Sequence, residues 1–282
     1  MRGPILLLLT IAALSFGGPP LGAALGLHLN AVDLLDRLAG PSPLHPLGTD
    51  ELGRDILVRL LAGGRVSLTI GIAAALAAAA LGTLVGLVAG YLGGWTDRAL
   101  MRLTDAIIAL PLLPLLIVLA ALDLNKLGVP PALAHSDDIS LLRIVTLAVL
   151  VGWTTAARLV RGATLVTRNR DFVRAARSLG AGVPHILLTH ILPNVLAPLI
   201  VATTLNVGDV ILLESVLSFL GLGIQPPLAS WGTMLSNAQE LITSAPLLAI
   251  YPGMMIFLTV IACNLCGDAL QQRFDHRAAM RV

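Results

Sequence analysis

Charged residues are scarce in this chain: they make up 12% of its 282 residues, about half the share usual in a soluble domain. So little charge cannot clothe a water-soluble fold, and the bilayer is the solvent that 56% hydrophobic residues call for. Aromatic residues are also few, at 4%. A membrane β-barrel needs aromatic girdles at both interfaces, whereas alanine, leucine, glycine and valine suit closely packed helices. Lysine occurs once, as Lys126 after Asn125. A P-loop needs a glycine-rich turn ending in lysine, so no ATP site of that kind is present. H-E-x-x-H and G-x-S-x-G are missing, and His28, His45, His135, His185, His190 and His276 are scattered, which points to no catalytic centre. Cys263 and Cys266 form a single C-x-x-C inside an apolar run. A structural zinc needs four ligands, so these read as buried helix residues and no metal site is expected. A net charge of +2 is too small to argue for nucleic acid.

What is present is a series of apolar runs of the length, roughly 20 residues, that crosses a bilayer. Arg2 and the run 5–27 have the form of a signal peptide or a first span. Gly17-Gly18-Pro19-Pro20 interrupts that run, which is taken as span one. The segment 30–65 is mixed, with a turn and capping signal at Gly48-Thr49-Asp50 and an amphipathic helix over 51–61. Runs 66–91, 106–122, 141–160, 194–222 and 246–266 complete six spans, the third kinked or started by Pro111 and Pro114, the sixth with Ser244 available as its cap. Gly82, Gly86 and Gly90 recur every four residues and predict close helix packing. The stretch GLGIQPPLASWGTML, 221–235, is too apolar for a freely solvated loop. Two domains are expected: 1–65, the first span with an extracytoplasmic segment, and 66–282, a five-helix core carrying a loop at 168–193.

Positive charge is unevenly placed. Arg2, Arg98, Arg102, Arg158, Arg161, Arg168, Arg170, Arg174, Arg177, Arg273, Arg277 and Arg281 fall on one side of the six-span plan. The other side holds Arg37, Arg54, Arg59, Arg65, Lys126 and Arg143. The positive-inside rule puts the first set, both termini and the loop 168–193 in the cytoplasm.

The polar island DFVRAARSLGAGVPHILLTHILP, 171–193, reads as a helix, a glycine stop and a second short helix. Asp171 is placed to cap the first helix, with Phe172, Ala175, Ala176 and Leu179 on one face and Arg174, Arg177 and Ser178 on the other. Gly180 is the stop, Pro184 starts the second helix, and Pro193 breaks the chain again. On physics alone this helix either lies on a membrane surface or meets a partner. Asp209 and Glu214 are ionisable groups inside span five, five residues apart and on different parts of its surface. Each either serves a translocation pathway or satisfies local polar groups.

Ala175-Ala176, then Gly180, then Leu192-Pro193 resembles the cytoplasmic-loop motif of ABC importer permeases, whose helix docks on an ATP-binding subunit. Arg174 stands in the place of the glutamate that names the motif, and His190 in that of the usual isoleucine. Both departures are similar to the dipeptide/oligopeptide/nickel branch, as are His45-Pro46-Leu47-Gly48-Thr49-Asp50 with Gly53-Arg54-Asp55, Ser218-Phe219-Leu220-Gly221-Leu222-Gly223 and Ala229-Ser230-Trp231-Gly232.

The resemblance implies an all-α membrane protein of the type I ABC importer fold, with six transmembrane helices and a cytoplasmic coupling helix between spans four and five, in a bacterial inner membrane. It also implies a homologous second permease, two ABC ATPase subunits that carry the ATP and magnesium, and an extracytoplasmic substrate-binding protein. This chain itself holds no cofactor. The cargo expected is a di- or oligopeptide, whose amino group is a plausible counterpart for Glu214, with nickel or a nickel chelate as the alternative within the same machine. The reading of a different class is an ion-coupled secondary transporter relaying protons through Asp209 and Glu214.

Overall fold

The computed structural model describes residues 2–24, 29–123, 126, 128, 130 and 136–279. His28, Asn125, His135 and Arg281 lie outside the described residues. Among those described there are helices, turns and one isolated bridge between Thr49 and Asp55, with no strand. The helices are α1 (Arg2–Ala24), α2 (Ile56–Leu92), α3 (Gly94–Ala109), α4 (Leu112–Ala120), α5 (Asp137–Thr167), α6 (Asp171–Ser178), α7 (Val183–Phe219), α8 (Trp231–Ala238) and α9 (Leu247–Ala279). Five of them, α1, α2, α5, α7 and α9, are long and apolar enough to cross a membrane. The α3–α4 pair, bent by 85°, makes a sixth if it is one span.

Several boundaries differ from those expected. The helix α1 runs through Gly17 to Pro20 without a break, and Gly18 lies against Leu61 of α2. In place of a helix over 51–61 followed by a span at 66, α2 is one helix of 37 residues. It starts at Ile56 because Asp55, not Asp50, accepts the cap bond, from the Val58 N–H at 2.9 Å. Asp50 caps the turn before it, its Oδ1 accepting the Leu52 N–H at 2.9 Å and the Arg54 N–H at 3.0 Å, while its Oδ2 meets Arg54 Nε at 2.7 Å and Arg59 Nε at 3.4 Å. The break at the third span falls at Leu110, held extended (φ −74°, ψ 138°) by the Pro111 that follows it. Pro114 sits in the first turn of α4, where its missing N–H costs nothing. Ser244 does not cap α9; its hydroxyl donates to the Leu241 carbonyl at 3.3 Å.

Two contacts set the bundle. The first is α2 on α5, where the glycine repeat lies. A Cβ on Gly82 would fall 2.5 Å from the Trp153 carbonyl oxygen, on Gly86 2.6 Å from that of Ala157, and on Gly90 3.0 Å from that of Arg161. The helices therefore meet backbone to backbone, the approach that small residues permit in lipid. The second is α8, unforeseen as a helix, which packs across α2 and α7. A capping box of Ser230 and Thr233 starts it, and Trp231, 0% exposed, donates its indole N–H to the Leu60 carbonyl at 3.0 Å.

Neither α2 nor α5 has slack at the glycine stripe, so Gly86→Ala forces a backbone shift. Overpacking of this kind costs about 1–3 kcal/mol. Thermal stability of the detergent-solubilised chain is expected to fall accordingly, whereas Gly162→Ala, which meets nothing within 4 Å in the interior of α5, holds it or raises it by up to about 1 kcal/mol.

Candidate functional site

Three features combine at the sites picked out by sequence: the element 171–193, the surroundings of Glu214, and the groove beside Asp209. The N-cap of α6 is Arg170, and Asp171 is the first helical residue, with no side-chain cap bond. A carboxylate there still suits the positive end of the helix. At the other end Gly180, at φ +82°, lets Ala181 N–H reach the Ala176 carbonyl at 3.1 Å and its own N–H the Arg177 carbonyl at 3.0 Å. This is a Schellman stop that a side chain at 180 would strain.

The element is held by residues that the sequence reading passed over. Val173, Ile186 and Ile191, each 0–1% exposed, join Val160, Val195 and Leu87 in one apolar cluster, with Leu192 half-buried against it. Arg177 lies 5.6 Å from the centre of the Tyr91 ring, and Arg168 donates to the Gly90 carbonyl at 2.7 Å. Phe172 and Leu179, by contrast, are 45% and 88% exposed. Arg174 and Ala175 are exposed beside them and Ala176 is half-buried. The face that spacing marked as apolar thus points away from the bundle, and a single valine on the other side does the anchoring.

Pro193 does not break the chain. Residues Ile186–Ile191 form a π-helical turn, closed by the Leu192 N–H bonding to the Leu187 carbonyl, and α7 continues to Phe219. The wider turn takes up the proline, which has no N–H to place in the ladder.

Asp209 and Glu214 face opposite surroundings on α7. Glu214 is 0% exposed and accepts from Ser67 Oγ of α2 at 3.0 Å and from Ser218 Oγ at 2.7 Å. Each serine in turn accepts a backbone N–H, Ser67 from Trp231 at 3.2 Å and Ser218 from Ile224 at 3.2 Å. The carboxyl group thereby ties α2, α7, α8 and the turn between them, with every member bonded. Asp209 is exposed and lines a groove of about 670 Å³ with Arg158, Asn206 and Thr155, walled by the α3–α4 bend, α5 and α7. Arg158 Nη2 donates to Asp105 at 2.6 Å, and both side chains are about half exposed. Among the described residues neither Asp209 nor Asn206 has a side-chain partner.

Comparison with known proteins gives these positions a context. The family model described as binding-protein-dependent transport system inner membrane component matches residues 82–280. A glutathione transport system permease protein of Pectobacterium atrosepticum is 42% identical over 241 residues, covering 85% of this chain and 75% of the relative. A dipeptide transport system permease protein of Alkalihalophilus pseudofirmus is 40% identical over 240 residues (85% and 74%). An oligopeptide transport system permease protein of Bacillus subtilis is 37% identical over 246 residues (87% and 76%).

The ring around Glu214 makes a graded prediction. Glu214→Leu leaves two buried serine hydroxyls without an acceptor, and Glu214→Gln leaves one, at about 1–3 kcal/mol each. Unfolding followed by tryptophan fluorescence is expected to show the leucine variant less stable than the glutamine variant, and both below the native chain.

Proposed function

Because the chain belongs to the family of binding-protein-dependent transport system inner membrane components, a multi-pass membrane transport component and not an enzyme, we propose that it is one permease subunit of an ATP-driven ABC importer of short peptides. It forms half of the translocation pathway beside a homologous second permease. Two ATPase subunits, which hold ATP and its magnesium, dock beneath it, and an extracytoplasmic binding protein delivers cargo from above. Arginine placement puts the α6 end and both termini in the cytoplasm.

The observation that carries the coupling reading is the orientation of α6. Phe172 and Leu179 stand exposed on a short helix fixed to the bundle by buried Val173 and flanked by exposed Arg170 and Arg174, which suits a protein partner with an apolar pocket and an acidic rim. ATP-driven closure of the partner pair moves this helix, and α5 and α7, which it joins, carry the movement into the membrane.

On this reading the cargo is a peptide, in line with the dipeptide, oligopeptide and glutathione permeases that the chain is similar to. Vesicles bearing the full complex are expected to take up labelled dipeptide only with ATP and the ATPase subunits. Leu179→Asp places a charge in the apolar pocket of the partner, while the exposed position leaves folding stability within about 0.5 kcal/mol. It is expected to abolish both co-purification of the ATPase and uptake. Wild-type uptake by that variant, or uptake by this chain alone on a proton gradient, overturns the proposal.

A further inference from the structure

The groove beside Asp209 carries one cation and one carboxylate in mid-bundle, and their spacing is fixed by helix register. Gly152 of α5 and Asn206 of α7 face each other, a Cβ on the glycine lying 3.4 Å from Asn206 Nδ2. The helices run antiparallel, since Ala148 clusters with Val210 while Ala156 and Val160 cluster with Val195 and Leu199. Arg158 therefore lies on one side of the Gly152–Asn206 level and Asp209 on the other, about 13 Å apart along the axes at about 1.5 Å per residue. An extended peptide advances about 3.3–3.6 Å per residue, so after allowance for the long arginine side chain a peptide of about two to four residues bridges them.

We propose that this groove is a subsite for the free termini of a short peptide: Asp209 receives the ammonium group, Arg158 the carboxylate, and Asn206 a backbone amide between them. The assignment rests on the peptide reading above and gives it a residue-level basis. Arg158 is already steadied by Asp105 through one Nη, and a guanidinium has five N–H donors, so others remain for a carboxylate. Asp209 and Asn206 are polar groups in the middle of a spanning helix without partners among the described residues, which is where a membrane protein places groups that meet water and cargo. The remaining walls, Ile107, Leu113, Val151 and Leu213 among them, are apolar and make no demand on peptide side chains. Such a site selects length and free ends and tolerates sequence. Glu214, with its bonds satisfied away from the groove, takes no part.

The test uses the assembled permease–ATPase complex in lipid nanodiscs with the binding protein omitted, so that no other selectivity acts. Cys263 and Cys266, both buried, are replaced by alanine, and Thr155→Cys reports from the groove wall. Alkylation of that thiol is timed in the presence of trialanine, N-acetyl-trialanine and trialanine amide. Trialanine is expected to protect best. Asp209→Asn raises the trialanine concentration needed for half-protection about tenfold, the loss of one charge-assisted bond, and leaves the weaker protection by N-acetyl-trialanine unchanged. Arg158→Gln does the same with the amide as the indifferent probe. Equal protection by all three peptides, an equal loss for free and blocked peptides, or no protection at all because a second permease fills the groove, overturns the assignment. ATP-dependent peptide uptake by the full importer separates the two levels: intact uptake with failed protection removes this subsite alone, and absent uptake removes the peptide reading and the subsite with it.

Discussion

The Glu214 carboxyl group is the constraint on which the packing of α2, α7 and α8 depends. A buried carboxyl is tolerated only when its bonds are complete, and completing them here requires Ser67 from α2, Ser218 from its own helix, and two backbone N–H groups that those serines accept. One of these N–H groups opens α8, so the short helix cannot leave α2 without taking the Trp231 N–H from its acceptor on Ser67. Glycines make the approach possible: a Cβ on Gly64 would meet the Trp231 ring at 2.8 Å, and one on Gly232 the Ser215 backbone at 2.7 Å. The polar ring and the small residues are two parts of a single requirement, that three backbones come close enough to share one carboxylate.

Much of this was within reach of the sequence. Apolar run length found the five helices long enough to span, because hydrocarbon thickness leaves the chain little choice; the run 106–122 falls on the bent α3–α4 pair. Four-residue glycine spacing marked a face for close helix packing, but which helix it meets, α5, is set by the fold and carries no signal in the repeat. The apolar stripe at Phe172, Ala175, Ala176 and Leu179 was visible as a pattern, but pattern alone cannot say which way a helix faces. In a helix of eight residues the inward face needs only one residue, Val173, and one residue has no periodicity.

The misplaced boundaries share a physical cause. Asp50 and Asp55, five residues apart in the same turn-rich segment, have equal claim to a cap by local rules. Both do cap: Asp50 Oδ1 accepts the Leu52 and Arg54 N–H groups and closes the turn there, and Asp55, beyond that turn, accepts the Val58 N–H and opens α2. Proline misled at Gly17–Pro20 and at Pro193 because its cost is set by what the lost N–H would have bonded, and at Pro193 the preceding π-turn reshapes the ladder. The helix α8 was hidden by its length, though Ser230 and Thr233, three residues apart before an apolar stretch, carried the capping signal.

The position of α7 explains how an event at one end of such a chain reaches the middle. It is a single helix of 37 residues, about 55 Å at about 1.5 Å per residue, and it carries the anchors Ile186 and Ile191 at its start, Asp209 about three quarters of the way along and Glu214 near its end. A helix so long transmits rotation only if it does not bend, and its two weak points, the π-turn and Pro198, both lie in the half nearer α6. From Asp209 onward the helix is regular and is locked to α2 and α8 through Glu214. On the proposed coupling reading, movement imposed at α6 reaches the groove through the segment that holds the π-turn and Pro198, and a site between that pliant segment and the locked one opens toward one end or the other as the first tilts against the second.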